Sequence, residues 1–317
     1  MPKPSVFIDG ESGTTGLGIR DRLAALPDVI VKSLPPASRR DPTARRDMMA
    51  QVDLIVLCLP DDAAVESAAL AVSLGHGAPK VLDASTAHRV NPDWVYGFPE
   101  MVAGQAGLIA AAHKVANPGC YPTGAIGLIR PLVDAGLMPP DYPVTVNAVS
   151  GYSGGGKAMI QAHERDGGPA FELYALGLEH KHLPEMQIYA GLTRQPIFVP
   201  SVAHCRQGML VSVPLHLDTL PGRPSGADLR AALEAHYAGC ELVSVTAPQP
   251  DGKLQAEAVN DTDRLELYVH VNEKHRQAVL VARLDNLGKG ASGAAVQNIG
   301  LMLGLRAGVG ARETADA

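Results

Sequence analysis

The stretch Ser5-Val6-Phe7-Ile8-Asp9-Gly10-Glu11-Ser12-Gly13-Thr14-Thr15-Gly16 constrains the fold more than any other part of the chain. Five residues with strand character run straight into a glycine-spaced turn, and a helical pattern follows over Leu17 to Leu26. A strand that turns at once into a helix is the opening of a β-α-β unit, because parallel strands need a crossover connection. The rhythm continues downstream. Val29 to Leu34 reads as a second strand, and VDLIVLCL (Val52 to Leu59) is nearly all apolar, as a central parallel strand buried on both faces should be. Asp61 to Leu74 reads as a helix with two acids in its first turn, and Lys80 to Ser85 and Lys114 to Ala116 as further strands. The first third is therefore expected to form a doubly wound α/β sheet.

After Cys120 the pattern changes. Strands are expected at Val144 to Val149, Ile197 to Val202, Met209 to Leu217, Glu241 to Thr246, Leu265 to Asn272 and Ala278 to Leu284. The last two alternate polar and apolar residues across the turn NEKHRQ, which predicts an antiparallel hairpin. A helix over Gly226 to Ala238 has Ser225 and Asp228 as a capping pair and Gly239 to close it. The second region thus reads as α+β with a mostly antiparallel sheet. A final helix is expected from Gly290 to Arg306, with ARETADA frayed behind it.

With 317 residues, the chain is long for one simple domain and comfortable for two. Its 27 basic and 33 acidic residues leave a net charge of −6, which argues against a nucleic-acid or membrane-surface partner. No apolar run reaches the length of a membrane span, and MPKPSVFIDG lacks the apolar stretch of a signal peptide. Cys58, Cys120, Cys205 and Cys240 show neither CxxC pairing nor metal-ligand spacing. A reduced, cytoplasmic protein without a metal site is expected.

The turn Gly10, Gly13, Gly16 is GxxGxxG rather than the best-known dinucleotide spacing, but its physics is the same. Glycines admit a pyrophosphate to the backbone, and the N–H groups at the helix start, around Thr14 and Thr15, offer partial positive charge. Where an NAD site carries an acid at the end of the second strand, this chain has Ser38, Arg39 and Arg40, which suit a 2′-phosphate and point to NADP. The alternative is that Arg39, Arg40, Arg45 and Arg46 are simply a solvated basic face.

Cys120 lies in KVANPGCYPTGA, between a strand and a helix whose apolar residues Ala125, Leu128, Ile129 and Leu132 keep a helical period. Pro122 fits the first helical turn. A helix N-terminus favours a thiolate, yet lowering a thiol pKa from about 8.5 by about two units gives only roughly 25-fold more thiolate at pH 7. Useful chemistry needs a base as well. Cys58 sits inside an apolar strand and Cys240 behind a helix C-terminus; Cys205, beside His204, is the competitor, and a buried thiol at a tight turn is the plain reading of Cys120 itself. EHKHLPE places His180, His182 and Glu185 around a helix start, with Glu185 able to share a face with His182. His-x-His supplies only two ligands, so a base is favoured over a metal. Gly151 to Lys157 fits GxxxxGK, but Ala158 stands where a magnesium-binding hydroxyl belongs. An anion site is the better reading than a nucleotide hydrolase.

Taken together, GESGTTG, LDAST with YGFPE, NPGCYPTGA, SGYSGGGK, EHKHLPEM and NLGKGASGAAVQN resemble the N-acetyl-gamma-glutamyl-phosphate reductase family, and more distantly aspartate-semialdehyde dehydrogenase. The resemblance spans nearly the whole chain, in the family's order, and is to the shorter branch. It implies a Rossmann-type NADP-binding domain at 1–118 and 287–317, and at 119–286 a catalytic and oligomerisation domain like the C-terminal domain of glyceraldehyde-3-phosphate dehydrogenase. It implies NADPH-dependent reduction of N-acetylglutamyl 5-phosphate to the semialdehyde, in arginine biosynthesis, through a thioester on Cys120. His182, or else His180, would move the proton beside Glu185. The cofactor would meet Gly10, Gly13, Thr14, Thr15, Gly16, Ser38, Arg39, Arg40, Ser85, Gly288 and Gly290. Asn117, Ser150, Gly151, Lys157 and Arg206 would meet the carboxylate or phosphate of the substrate. Inorganic phosphate would be the second small-molecule partner, and the chain would be a homo-oligomer, tetramer or dimer. A reductase of another acyl phosphate (aspartyl or carrier-bound aminoadipyl) and a non-catalytic NADP-binding regulator are the rival readings.

Overall fold

The computed structural model describes residues 2–305. The chain forms two compact units. The first comprises the residues up to Pro99, then Ala103–Pro118 and the stretch from Ala291; the second comprises Glu100–Val102 and Gly119–Gly290.

In the first unit the elements are β1 (Ser5–Asp9), α1 (Thr14–Ala24), β2 (Ile30–Lys32), α2 (Pro42–Met49), β3 (Leu54–Leu57), α3 (Asp61–Val72), β4 (Lys80–Asp83), β5 (Val95–Tyr96), α4 (Gln105–Ala111) and β6 (Lys114–Ala116). The strands form one sheet in the order β2-β1-β3-β4-β6-β5, every pairing parallel. β1 and β3 are buried throughout, which is why Val6–Ile8 of β1 and all of β3 are apolar. Helix α1 begins three residues earlier than the apolar pattern suggests, at Thr14, so Gly16 lies inside it. Two helices of this unit escaped the sequence reading. One is α2, whose start at Asp41-Pro42-Thr43 has the Asp41 side chain accepting from the Thr43 N–H. That cap was legible, but the run of arginines behind it reads as a surface. The other is α4, whose N-cap is Gly104, left-handed at φ 84°.

The second unit contains α5 (Cys120–Asp134), β7 (Thr145–Gly151), α6 (Gly156–Asp166), β8 (Phe171–Leu173), α7 (Leu183–Tyr189), β9 (Ile197–Ala203), β10 (Met209–His216), α8 (Gly226–His236), β11 (Val243–Val245), β12 (Leu265–Asn272) and β13 (Gln277–Leu284). Its sheet runs β11-β12-β13-β10-β7-β9-β8. Four pairings are antiparallel, while β7 with β9 and β11 with β12 are parallel, so the sheet is mixed with an antiparallel majority. The β12–β13 hairpin and the Ser225/Asp228 capping box of α8 form as their residues require. Helix α5 lies on one face of this sheet: a side chain at Gly124 would come within 2.7 Å of Val211, and one at Gly127 within 3.2 Å of Leu265.

After β13 the backbone widens into a π-helical turn at Gly288–Ser292, and α9 (Gly293–Leu303) returns to the first unit. There Ala295, Val296, Ile299 and Met302 join Val6, Ile8, Leu54 and Leu82 in one buried cluster. The helix expected over Gly290 to Arg306 is shorter: it starts at Gly293 and ends at Leu303, where Gly304 closes it in the left-handed conformation at φ 64°. Arg306 and the ARETADA tail lie outside the described residues.

Candidate active site

Helix α5 starts at Cys120 itself. Its N-cap is Gly119, extended at φ −75° and ψ 154°, so no capping side chain occupies the helix end. The Gly119 N–H instead donates to Glu185 Oε2 at 3.1 Å. Glu185 is 1% exposed, and its other oxygen lies 4.0 Å from His182 Nε2. The two residues share a face because α7 begins at Leu183, so His182 and Glu185 are one helical turn apart. On the other side of the cysteine, the Tyr121 ring packs 6.0 Å from the His182 ring, 6.3 Å from His180 and 5.3 Å from Phe198. The Tyr121 hydroxyl donates to the Ser201 carbonyl at 2.9 Å. Both chain neighbours of Cys120 are thereby tied to the histidine cluster.

The two histidines differ chemically. His180 Nδ1 accepts the backbone N–H of His182 at 3.1 Å, which fixes its proton on Nε2. Burial, followed by the Lys181 charge, lowers its pKa to about 4, so it is a neutral hydrogen-bonding group near pH 7. His182 has the buried Glu185 carboxylate beside it, the partner that stabilises an imidazolium.

The remaining thiols are poor nucleophiles. Burial pushes Cys58 up to about 12, helped by the charges of Asp83 and Asp9. Burial and Glu257 raise Cys205, and burial and Glu100 raise Cys240.

The loop before α9 closes on the cysteine. An added Cβ at Gly290 would stand 2.9 Å from Cys120 Cβ, and one at Gly288 would stand 2.1 Å from the Thr262 carbonyl. Between them Lys289, 1% exposed, donates to both carboxylate oxygens of Glu100 at 2.8 Å. This buried ion pair had no signal in the sequence, since its partners are 189 residues apart.

Residues expected at the substrate occupy varied settings. Ser150 is buried and donates to the Gly151 carbonyl at 3.0 Å, and Gly151 is pressed against the Arg206–Gln207 backbone. Lys157 is exposed in the first turn of α6, and Arg206 is paired with Glu164 on the same helix. In the first unit Asn117 is buried, donating to the Ala291 carbonyl at 3.2 Å and accepting from Asn298 at 3.1 Å. Arg89, also buried and absent from the sequence reading, donates to the Asn117 carbonyl at 3.0 Å. Ser85 and His88 both bond the Asp83 carboxylate.

The glycine turn fits a dinucleotide. A side chain at Gly10, which has φ +90°, would meet the Cys58 carbonyl at 2.3 Å, and one at Gly16 would meet the Gly10 carbonyl at 2.6 Å. At Gly13 the nearest such atom is 3.5 Å away, leaving its outer side open to a ligand. Beside the turn is a cavity of about 400 Å³ lined by Gly10, Glu11, Ser12, Ala37, Arg39 and Arg40 among others. Ser38 lies in the adjoining single turn Pro36–Ser38 but does not line that cavity. Of the four arginines, Arg40 and Arg46 are exposed, whereas Arg39 and Arg45 are partly buried and paired. Arg39 is paired with Glu11, and Arg45 donates through Nε to Asp9 at 3.0 Å.

Two family descriptions fit the chain: the semialdehyde dehydrogenase NAD-binding domain over residues 33–107 and the semialdehyde dehydrogenase dimerisation domain over 120–286. Proteins of Brucella ovis and Brucella canis named N-acetyl-gamma-glutamyl-phosphate reductase are 54% identical over 310 residues, covering 95% of this chain and 99% of theirs. Among solved structures, aspartate semialdehyde dehydrogenase II of Vibrio cholerae, complexed with ASA, superposes with a TM-score of 0.70 at 17% identity, over 96% of this chain and 99% of that one. The Candida albicans aspartate semialdehyde dehydrogenase with NADP superposes at 0.64 and 14% identity, over 96% of this chain and 99% of that one. These likenesses share the fold, and the identity to the Brucella proteins sets the branch: the chain belongs to the N-acetyl-gamma-glutamyl-phosphate reductase family of semialdehyde dehydrogenases.

Proposed function

We propose that the chain catalyses the NADPH-dependent reduction of N-acetyl-L-glutamyl 5-phosphate to N-acetyl-L-glutamate 5-semialdehyde and inorganic phosphate, a step of arginine biosynthesis. The observation that carries this reading is the tie from Cys120 through Gly119 to Glu185 and His182, in a chain 54% identical to proteins of that name over almost its full length. Cys120 thiolate attacks the acyl carbon, the C–O bond to phosphate breaks with its electron pair, and a thioester remains on sulfur. An acyl phosphate is a good electrophile, so the demand on the thiol is its thiolate fraction and its aim. The uncapped N-terminus of α5 favours the thiolate. Glu185, by holding the Gly119 N–H, fixes the first turn. His182 takes up the thiol proton, its imidazolium stabilised by Glu185, and later handles the proton on the thiohemiacetal oxygen as the C–S bond breaks, which leaves the carbonyl of the aldehyde and returns the electron pair to the Cys120 thiolate. When bound, NADPH supplies the hydride that takes the thioester carbonyl to the aldehyde level. Gly10, Gly13, the N-terminus of α1, Arg39 and Arg40 would hold it.

The family's dimerisation description supports self-association of the second unit, and assembly to a dimer or tetramer belongs to this proposal. So does a cytoplasmic setting, supported by four cysteines that are all thiols. The test runs the reaction backwards: phosphate-dependent reduction of NADP with N-acetylglutamate semialdehyde, repeated with aspartate semialdehyde. Turnover with the first and at least about 100-fold less with the second is expected, in line with what a site that hydrogen-bonds its substrate can discriminate. Preference for aspartate semialdehyde, or turnover without phosphate, overturns the assignment.

A further inference from the structure

Glu11 sits in the middle of the dinucleotide turn, where an incoming cofactor brings negative charge. A buried carboxylate there calls for a reason. It is 5% exposed, accepts from the Ser33 hydroxyl at 2.6 Å and is ion-paired with Arg39 Nη2. Arg39 also donates through Nε to the Leu34 carbonyl at 3.2 Å. The guanidinium is therefore held at two points, Glu11 in the turn and the Leu34 carbonyl just beyond the end of β2, and Arg39 lines the cavity with Arg40. In an NAD site an acid at the end of the second strand reads the ribose hydroxyls. Here the arrangement is exchanged. The acid comes from the turn, and what it grips at the strand end is an arginine.

We propose that Glu11 is a positioning residue for cofactor specificity: it presets Arg39 to receive the 2′-phosphate of NADPH. The inference rests on the assignment of NADPH to this turn. A long cationic side chain fixed before binding loses less rotational freedom when it binds, an advantage of about three- to tenfold per immobilised side chain. The neighbouring acid follows a different logic. Asp9 is also buried and also paired, but with Arg45 of α2 and Ser67 of α3, and these tie the end of β1 to the two helices. Among the described residues, the side-chain partners of Glu11 are Ser33 and Arg39, both beyond the end of β2. Removing it therefore affects one ligand feature, the 2′ substituent, and not dinucleotide binding in general.

The experiment measures dissociation constants for NADPH and NADH by ligand fluorescence enhancement on the full chain, with no substrate present. Glu11→Ala is expected to weaken NADPH about three- to tenfold and leave NADH within about twofold, lowering the ratio of the two. Glu11→Gln, whose amide oxygen still accepts from Arg39, should retain most of the ratio, which keeps the test open if the alanine variant folds poorly. In an Arg39→Ala background the Glu11→Ala change should no longer move the ratio. Equal weakening of both cofactors by Glu11→Ala overturns the proposal in favour of a purely structural role. Selective loss of NADH overturns it in favour of an acid that reads the 2′-hydroxyl. If the unaltered chain binds neither cofactor, it is the NADPH assignment that fails.

Discussion

Cys120 is set by contacts that its own segment does not make. Glu185 reaches back to Gly119 over a sequence separation of 66 residues, and Gly290 lies against the thiol-bearing carbon. Gly290→Ala is therefore expected to displace Cys120, the proposed nucleophile. The new methyl would stand 2.9 Å from Cys120 Cβ and 3.1 Å from the Asp285 carbonyl, and neither is a flexible side-chain end. A misplacement on the order of 1 Å costs about 100-fold in rate, so kcat should fall by about that factor. Unchanged kcat would mean that the loop gives way freely. Cys120→Ser should abolish thioester formation, read by trapping a labelled acyl group, with cofactor binding intact. His180 carries a pH prediction. Its pKa falls from 6.5 to about 4 in the fold, so between these values the unfolded chain binds more protons than the folded one. The stability contributed by its neutral form is complete above pH 6.5 and is lost as pH falls towards 4. His180→Asn, which can still accept the His182 N–H, should flatten the decline in Tm over that window; an unchanged slope assigns the decline to other groups.

At the level of elements, what could be read depended on how local the cause was. The hairpin strand Leu265–Asn272 and the strand Lys114–Ala116 have the bounds their patterns predict, since alternation and burial are written into neighbouring residues. The strand β8 was invisible: Phe171, Glu172 and Leu173 are all exposed and gain their conformation from pairing with β9, thirty residues downstream. The Cys120 helix and the histidine helix were legible one by one, whereas the Glu185 link between them was not, because no local rule specifies which N–H a distant carboxylate will meet. The Glu11–Arg39 pair falls in between, with both residues visible in motifs but their contact made by the fold. Helix α5 gives an energetic test. Gly124→Ala should gain roughly 1 kcal/mol of helix propensity but forces a methyl to within 2.7 Å of Val211, which is fully buried on β10. Overpacking of that kind costs about 1–3 kcal/mol, so the net effect should be destabilising. Combining it with Val211→Ala should recover part of the loss in urea unfolding, and a double variant that is no better than additive would show that the two residues do not press on each other. At α8, Ser225→Ala should cost about 1 kcal/mol by opening the capping box.

The second unit shows two different sheet faces, and the difference bears on assembly. One face is covered by α5, with Val211 and Ala282 beneath Gly124. Residues that alternate with these, Leu210 and Ser212 on β10 and Val279 and Val281 on β13, line a cavity of about 640 Å³ together with Phe171, Leu173 and His270. Around it Phe171 is 57% exposed, Ile197 51%, Leu173 46% and Val279 39%. Apolar area concentrated on one sheet face is the usual mark of an interaction surface. The proposed self-association can then be located: a second copy should cover this face, and the rate of Cys120 alkylation should be insensitive to it, since the thiol belongs to α5 on the covered side. Leu173→Glu with Val279→Glu places two charges where burial would desolvate them without partners, a penalty large enough to dissociate a dimer of ordinary affinity. Sedimentation velocity should show the unaltered chain as a dimer or larger and the double variant as a monomer of 33.1 kDa. Far-UV circular dichroism and iodoacetamide reactivity at Cys120 should be the same in both. A double variant that sediments with the unaltered chain would move the interface elsewhere on the unit, and one that loses both its ellipticity and its Cys120 reactivity would show that this face is needed for folding of the subunit itself.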